Sequence, residues 1–194
     1  MKSAAAVLLL CAGLSAHPVG NASINHYARL EPTAKGVDLT YALDFAELPS
    51  IELLQSWGLE PRVSSLSQME AKAREQSRTW LAQLRLTSGG KPVQAEFSSA
   101  SLFVGDGAGG LPILRVTVRA HIAATSDLQY EDTNFKDRAG WKEIITAGAA
   151  DVTITKASHG AKDVSRALTA YPADPKFAPP QDLRASLTWT TNRR

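Results

Sequence analysis

From Gly36 to Leu48 the chain alternates: Val37, Leu39, Tyr41, Leu43 and Phe45 are apolar, and Asp38, Thr40, Ala42 and Asp44 fall between them. A period of two puts one row of side chains on each face, which is the pattern of a half-buried strand. Ser23 to Leu30 precedes it across Glu31-Pro32-Thr33-Ala34-Lys35-Gly36, so the two segments are expected to pair as a hairpin. Leu114, Val116, Val118, Ala120 and Ile122 repeat the alternation, with Arg115, Thr117, Arg119 and His121 on the opposite face. Val152 and Ile154 do so briefly, and Leu183, Ala185, Leu187 and Trp189 do so again near the end.

One stretch has a different period. Ser67-Gln68-Met69-Glu70 has the spacing of a capping box, in which the serine oxygen accepts a free amide and the glutamate reaches back. Leu66, Met69, Ala73, Trp80 and Leu84 recur at helical spacing to about residue 85, with Lys72, Arg74, Glu75 and Arg78 opposite. This predicts an amphipathic helix laid on a sheet, with Met69 and Trp80 in the core rather than against a cofactor.

Two loops join these elements. Gly105-Asp106-Gly107-Ala108-Gly109-Gly110 links Ser101–Val104 to Leu111–Ile122, and the second of these segments alternates as a strand and has no Lys-Ser/Thr pair at its start. The glycine-rich stretch therefore reads as a hairpin connection and not as a phosphate cradle. Tyr171 to Pro180 contains four prolines and suits an extended crossing. The expected fold is mainly β: an antiparallel, immunoglobulin-like β-sandwich of about seven strands with one amphipathic helix packed on it.

The N-terminus stands outside this pattern. Lys2, an uncharged and mostly apolar run from Ala4 to Leu14, and the small residues Ser15 and Ala16 have the layout of a secretory signal peptide. The run is too short to span a bilayer, which takes about 20 helical residues. Residues 1–16 are thus expected to be a signal peptide, and residues 17–194 a single exported β-rich domain, periplasmic or otherwise extracytoplasmic and soluble. Cleavage after Ser15 and after Ala16 both fit, and only the second makes His17 the first residue.

Composition narrows the chemistry. The 194 residues carry 21 Lys and Arg against 19 Asp and Glu, a balance with no footprint for nucleic acid or an anionic membrane. The single cysteine, Cys11, lies in the leader, which removes disulfide and cysteine-metal frameworks. Signatures of a serine nucleophile elbow and of a His-Glu-x-x-His metal helix are missing, and Glu131–Asp137 lacks the ligand spacing of a calcium loop. His121 and His159 read as solvated or packed histidines.

What remains is the mature N-terminus. With His17 first, its α-amine and imidazole can chelate one divalent ion, because the amine titrates near pH 8 and yields its proton to a metal. His26 offers a third nitrogen, and Asp44 and Glu47 offer oxygens. An imidazole-rich site suits nickel, copper, cobalt or zinc. The competing reading makes His17 a frayed end and His26 a surface residue of the first strand.

Several segments resemble a known group. His17-Pro18-Val19-Gly20-Asn21, Ile24-Asn25-His26-Tyr27 and Asp44-Phe45-Ala46-Glu47-Leu48-Pro49 are similar to the start of the extracytoplasmic N-terminal domain of nickel/cobalt-transporter-like (NicO-type) bacterial permeases. Asp137-Arg138-Ala139-Gly140-Trp141-Lys142-Glu143-Ile144 and Ser165-Arg166-Ala167-Leu168-Thr169-Ala170-Tyr171-Pro172 extend the likeness over most of residues 17–190. The resemblance implies an exported, non-enzymatic module that works with a membrane nickel/cobalt permease. It also implies cleavage ahead of His17, and nickel or cobalt ahead of copper or zinc at His17, His26, Asp44 and Glu47. The helical permease itself is not contained in these 194 residues. Two functions thus stand side by side: a metal-binding or accessory module of nickel/cobalt transport, and a protein-docking module that binds no metal and docks through the loops around Asp137–Glu143, where Trp141 beside Arg138 and Lys142 reads equally as an interface anchor or as a core tryptophan. A copper oxidase built on the N-terminal histidine is the third and least supported.

Overall fold

The computed structural model describes residues 20–172, 174 and 176–192; residues 1–16, expected to be a signal peptide, and His17 lie outside them. Among the described residues, ten strands and two α-helices succeed one another in chain order. They are β1 (Ile24–Thr33), β2 (Gly36–Phe45), α1 (Glu47–Ser56), α2 (Leu66–Ala82), β3 (Leu84–Ser88) and β4 (Lys91–Val93). The remainder are β5 (Ala95–Asp106), β6 (Pro112–Ile122), β7 (Asp127–Asp132), β8 (Lys142–Thr146), β9 (Val152–Ala157) and β10 (Arg184–Thr191). Two five-stranded sheets result: sheet A in the order β5-β6-β2-β1-β8 and sheet B in the order β4-β3-β7-β10-β9. Pairing between these strands is antiparallel except between β1 and β8, and an isolated parallel bridge joins Lys142 to Gln181. The mainly β sandwich read from the alternation is the fold observed, with more strands than the turn spacing suggested.

The alternation also sets which side chains meet. In sheet A, Leu39, Tyr41 and Leu43 of β2 align with Ala120, Val118 and Val116 of β6, and all six are buried. They face sheet B, because the Tyr41 hydroxyl donates to Asp132 of β7. The β1–β2 hairpin closes through a two-residue turn, Ala34-Lys35, with Thr33 opposite Gly36. Gly36 has φ +140, and a Cβ there would fall on the Ile122 carbonyl, so this turn takes glycine.

Two expectations are corrected, and one open alternative is decided. The helix starting at Leu66 is capped by Ser65 and Gln68, two residues earlier than Ser67 and Glu70, and it ends at Ala82. Its buried stripe is Met69, Ala73, Ser77, Trp80 and Leu81; Leu66 is 54 % exposed, and Leu84 belongs to β3. A second helix, α1, escaped the pattern because it is only ten residues long and carries Pro49 in its first turn, where a missing amide costs nothing. Of the two readings of Trp141 the core one holds: it is 2 % exposed, covered by Tyr171 at 5.5 Å and Phe177 at 5.7 Å between ring centroids. No helix among the described residues is long and apolar enough to cross a membrane.

Candidate functional site

The outer face of sheet A, turned away from sheet B, carries a polar layer built by the odd residues of β1 and β8 and the even residues of β2. Register places Asn25 opposite Asp44 and Tyr27 opposite Ala42. The Asn25 amide donates to Asp44 Oδ2 at 3.2 Å and to the Tyr171 hydroxyl at 3.0 Å. Tyr171 donates in turn to Asp44 Oδ2 at 2.8 Å. Asn25 Oδ1 accepts from the Trp141 backbone amide at 2.8 Å, tying the layer to β8. Beneath these bonds, Tyr27, Ala42, Trp141, Ile145 and Leu168 form a second apolar cluster, separate from the main core.

Glu143, 4 % exposed, is the anchor of this layer. Its Oε2 accepts from Trp141 Nε1 at 2.8 Å and from the Ser165 amide at 3.1 Å, and its Oε1 accepts from the Val164 amide at 2.7 Å. A buried carboxylate needs several donors to offset its desolvation, and here two of the three belong to one loop. That loop then enters a rare conformation. Arg166, Ala167 and Leu168 have φ of 49, 55 and 63°, three consecutive left-handed residues without a glycine. Each costs about 1–2 kcal/mol against the right-handed form. The turn is held by Leu168, buried in the second cluster, by Ser165 Oγ accepting the Leu168 amide at 3.1 Å, and by Arg115 donating to the Leu168 carbonyl at 2.7 Å. Tyr27 donates to Asp163 at 2.9 Å and fixes the other end. Arg166 is left exposed at the crest.

Burial and the neighbouring carboxylates raise both phenols of this layer, Tyr171 against Asp44 and Tyr27 against Asp163, well above the ordinary tyrosine range. Both remain hydroxyl donors across the neutral range, which is the role the geometry requires.

His26 lies on the other side of the same sheet. Its Nδ1 donates to Asp132 Oδ2 at 2.8 Å, and the ring is 2 % exposed. Asp132 also accepts from Tyr41 at 2.9 Å, from the Asn134 amide at 2.9 Å and from the Asn134 side chain at 2.9 Å. His26 Nε2 is buried without a hydrogen-bond partner. This cluster bridges the two sheets between β1, β2 and β7.

The residues proposed from sequence as metal ligands are therefore dispersed. His26 points between the sheets, and Asp44, on the facing strand, points outward to Asn25 and Tyr171. Glu47 opens α1, where its Oε1 accepts from the Ala108 amide at 2.8 Å and braces the glycine-rich connection. His17 lies outside the described residues. Among the described residues no three His, Cys, Asp or Glu side chains are grouped to hold an ion. His121 pairs with Asp38 at 2.8 Å, and His159 contacts Ser158 at 2.8 Å and Asp182 at 3.4 Å.

Asp132, Glu143 and Tyr171 do more at these sites than sequence reasoning assigned them. Glu143 and Tyr171 lie in segments that the sequence analysis quoted but to which it gave no role. Asp132 had no local signal, because its partners His26 and Tyr41 are 106 and 91 residues away in the chain. A further recess of about 350 Å³ opens between α1 and α2, walled by Phe45, Leu53, Trp80 and Phe135 and lipped by the Glu52–Arg138 ion pair at 2.8 Å. Comparison with protein-family models and with curated proteins gives no match to this chain.

Proposed function

We propose that this chain is an exported, non-enzymatic accessory module of nickel/cobalt ion transport, serving a membrane permease from the extracytoplasmic side. One observation carries the reading. The segments that resemble the permease-linked domain come from separate stretches around Asn25, Asp44, Trp141–Glu143 and Ser165–Tyr171, and they meet in one hydrogen-bonded layer on the outer face of sheet A. That layer holds a strained turn with Arg166 exposed on it, and backbone strain of this kind gathers at functional surfaces. Nickel or cobalt is the cargo in this reading. Its point of contact with the chain is the His17 α-amine and imidazole, since His26, Asp44 and Glu47 are committed to partners elsewhere in the fold.

The experiment is nickel and cobalt accumulation in the producing bacterium with the gene deleted, restored, and restored as His17→Ala. Deletion is expected to lower accumulation, and restoration to recover it. Unchanged accumulation on deletion overturns the proposal. A metal titration of the exported protein, with its intact mass measured on the same sample, separates the second reading. That reading, a docking module that binds no metal, is favoured by the dispersal of His26, Asp44 and Glu47. A mass starting at His17 with one tight equivalent of nickel or cobalt, lost in His17→Ala, rejects it.

A further inference from the structure

Left-handed backbone without glycine occurs at two places among the described residues, with different results. At Arg166–Leu168 the strain is offset by burial, because Leu168 is 1 % exposed within the second apolar cluster. The other place is Phe135, with φ of 40°. A bulky residue in this region is a conformational outlier, and here the ring stays only partly buried.

The chain is fixed on both sides of Phe135. Asn134 bonds to Asp132 through its amide and its side chain, and its side chain also donates to the Tyr41 hydroxyl and the Trp80 carbonyl. Downstream, the Arg138 amide donates to the Phe135 carbonyl at 2.9 Å. The Phe135 ring is thereby held edge-on to Phe45 at 5.6 Å and to Trp80 at 6.3 Å between centroids. Phe45 and Trp80, 1 and 2 % exposed, close the floor of the recess between α1 and α2, and Phe135 stands as one of its walls.

At about 350 Å³ the recess has the volume of a small-ligand site, and Pro49 and Leu53 extend its apolar lining. Arg138, which also lines it, is not fully satisfied. Its Nη2 donates to Glu52 at 2.8 Å, whereas its Nε is buried with no hydrogen-bond partner. A buried N–H without an acceptor is a loss that an incoming acceptor removes. Glu52 already balances the guanidinium charge, so a ligand carboxylate here would face a second carboxylate. An uncharged acceptor meets no such repulsion.

We propose that the recess between α1 and α2 binds a small, uncharged aromatic molecule that carries one hydrogen-bond acceptor. Its ring packs against Phe135 and Leu53, and its acceptor takes the Arg138 Nε–H. Strain at Phe135 then serves to hold an aromatic wall where a ligand needs it, as strained residues do at ligand clamps. The site stands independently of the nickel/cobalt reading, because it uses neither His17 nor the Glu143 layer.

The test uses the full exported chain with acetophenone as the probe, and ethylbenzene as a probe of similar shape without the acceptor. Binding is followed by NMR shifts of the backbone amides and of the Arg138 Nε–H. Acetophenone is expected to bind with a Kd of about 1 mM or tighter, with saturable shifts at Ile24, Leu53, Phe135 and the Arg138 Nε–H. Ethylbenzene should bind about tenfold more weakly and leave the Nε–H signal in place. Gln76→Trp, which puts a large ring at the side of the recess, should abolish binding. Arg138→Lys keeps a cation opposite Glu52 but removes Nε, and should bind the two probes alike. Unchanged amide shifts in β9 and β10 report an intact fold in both variants. The proposal is overturned if acetophenone shifts nothing around the recess, if ethylbenzene binds the wild-type chain equally well, or if Arg138→Lys keeps the preference for acetophenone.

Discussion

Replacing Glu143 by glutamine tests the logic of the outer layer with almost no change in shape. The carboxylate accepts three hydrogen bonds, from Val164 N, Ser165 N and Trp141 Nε1. An amide has one oxygen. Placed at the Oε2 position it keeps the Ser165 and Trp141 bonds, and its NH2 group then meets the Val164 amide, donor against donor. One buried donor is orphaned, at about 1–3 kcal/mol, and the two retained bonds lose their charge assistance. The expected loss of stability is about 2–4 kcal/mol, a large part of the ~5–15 kcal/mol that holds a domain of this kind. Glu143→Ala orphans all three donors and should approach the point of unfolding. Urea titration monitored by circular dichroism and tryptophan fluorescence gives the difference from the midpoint shift at constant slope. Amide exchange at Val164 and Ser165 should accelerate in Glu143→Gln before global unfolding does. A glutamine variant within about 0.5 kcal/mol of wild type, a difference typical of unconstrained surface sites, would refute the assignment of Glu143 as the anchor of the turn.

All four tyrosines, Tyr27, Tyr41, Tyr130 and Tyr171, are raised above the ordinary phenol value, with burial as the largest cause and Asp163, Asp132 or Asp44 adding to it. The folded state therefore holds its phenolic protons more tightly than the unfolded state, so their contribution is complete below pH 10.0, the unfolded value, and declines as pH rises above it. Base-induced unfolding should coincide with the phenolate absorbance change; phenols that ionise at their ordinary value in a protein still folded would contradict this. Ala167→Gly relieves one left-handed residue worth about 1–2 kcal/mol and gives back part of that as unfolded-chain entropy. It should leave stability unchanged or raise it by up to about 1 kcal/mol, and a clear loss in the urea midpoint would argue against strain at this turn. Ser65→Ala removes the α2 cap at a cost of about 1 kcal/mol, whereas Ser67→Ala should be nearly silent. Equal effects at the two serines in the same urea assay would contradict the observed cap.

The strands at Gly36–Phe45, Pro112–Ile122 and Arg184–Thr191 were legible because the period of two is a property of the backbone itself, and each row of apolar residues has one face to hide on. The hairpin between β1 and β2, the glycine-rich connection between β5 and β6, and the burial of Met69 and Trp80 came from the same local rules. The choice of Ser65 over Ser67 as the cap was not local. Both serines stand three residues before a Gln or Glu, and helix α2 starts where its stripe can bury Ser77 and Trp80 against the rest of the fold.

The candidate site divides in the same way. Alternation alone puts His26 and Asp44 on opposite faces once the two strands pair with His26 facing Leu43 and Asn25 facing Asp44, a register that closes only with the turn at Ala34-Lys35. What each residue meets was decided by tertiary structure. Asp132 reaches His26 across the sandwich, Tyr171 reaches Asp44 across 127 residues, and the parallel docking of β8 beside β1 brings Trp141 and Glu143 under the left-handed turn. No periodicity encodes such contacts, because they depend on how two sheets stack and not on how one strand alternates. Along β2, β6 and β10 the sequence by itself determined which residues face inward. The packing of separate elements decided which buried polar groups are satisfied, and with that which surface the protein presents.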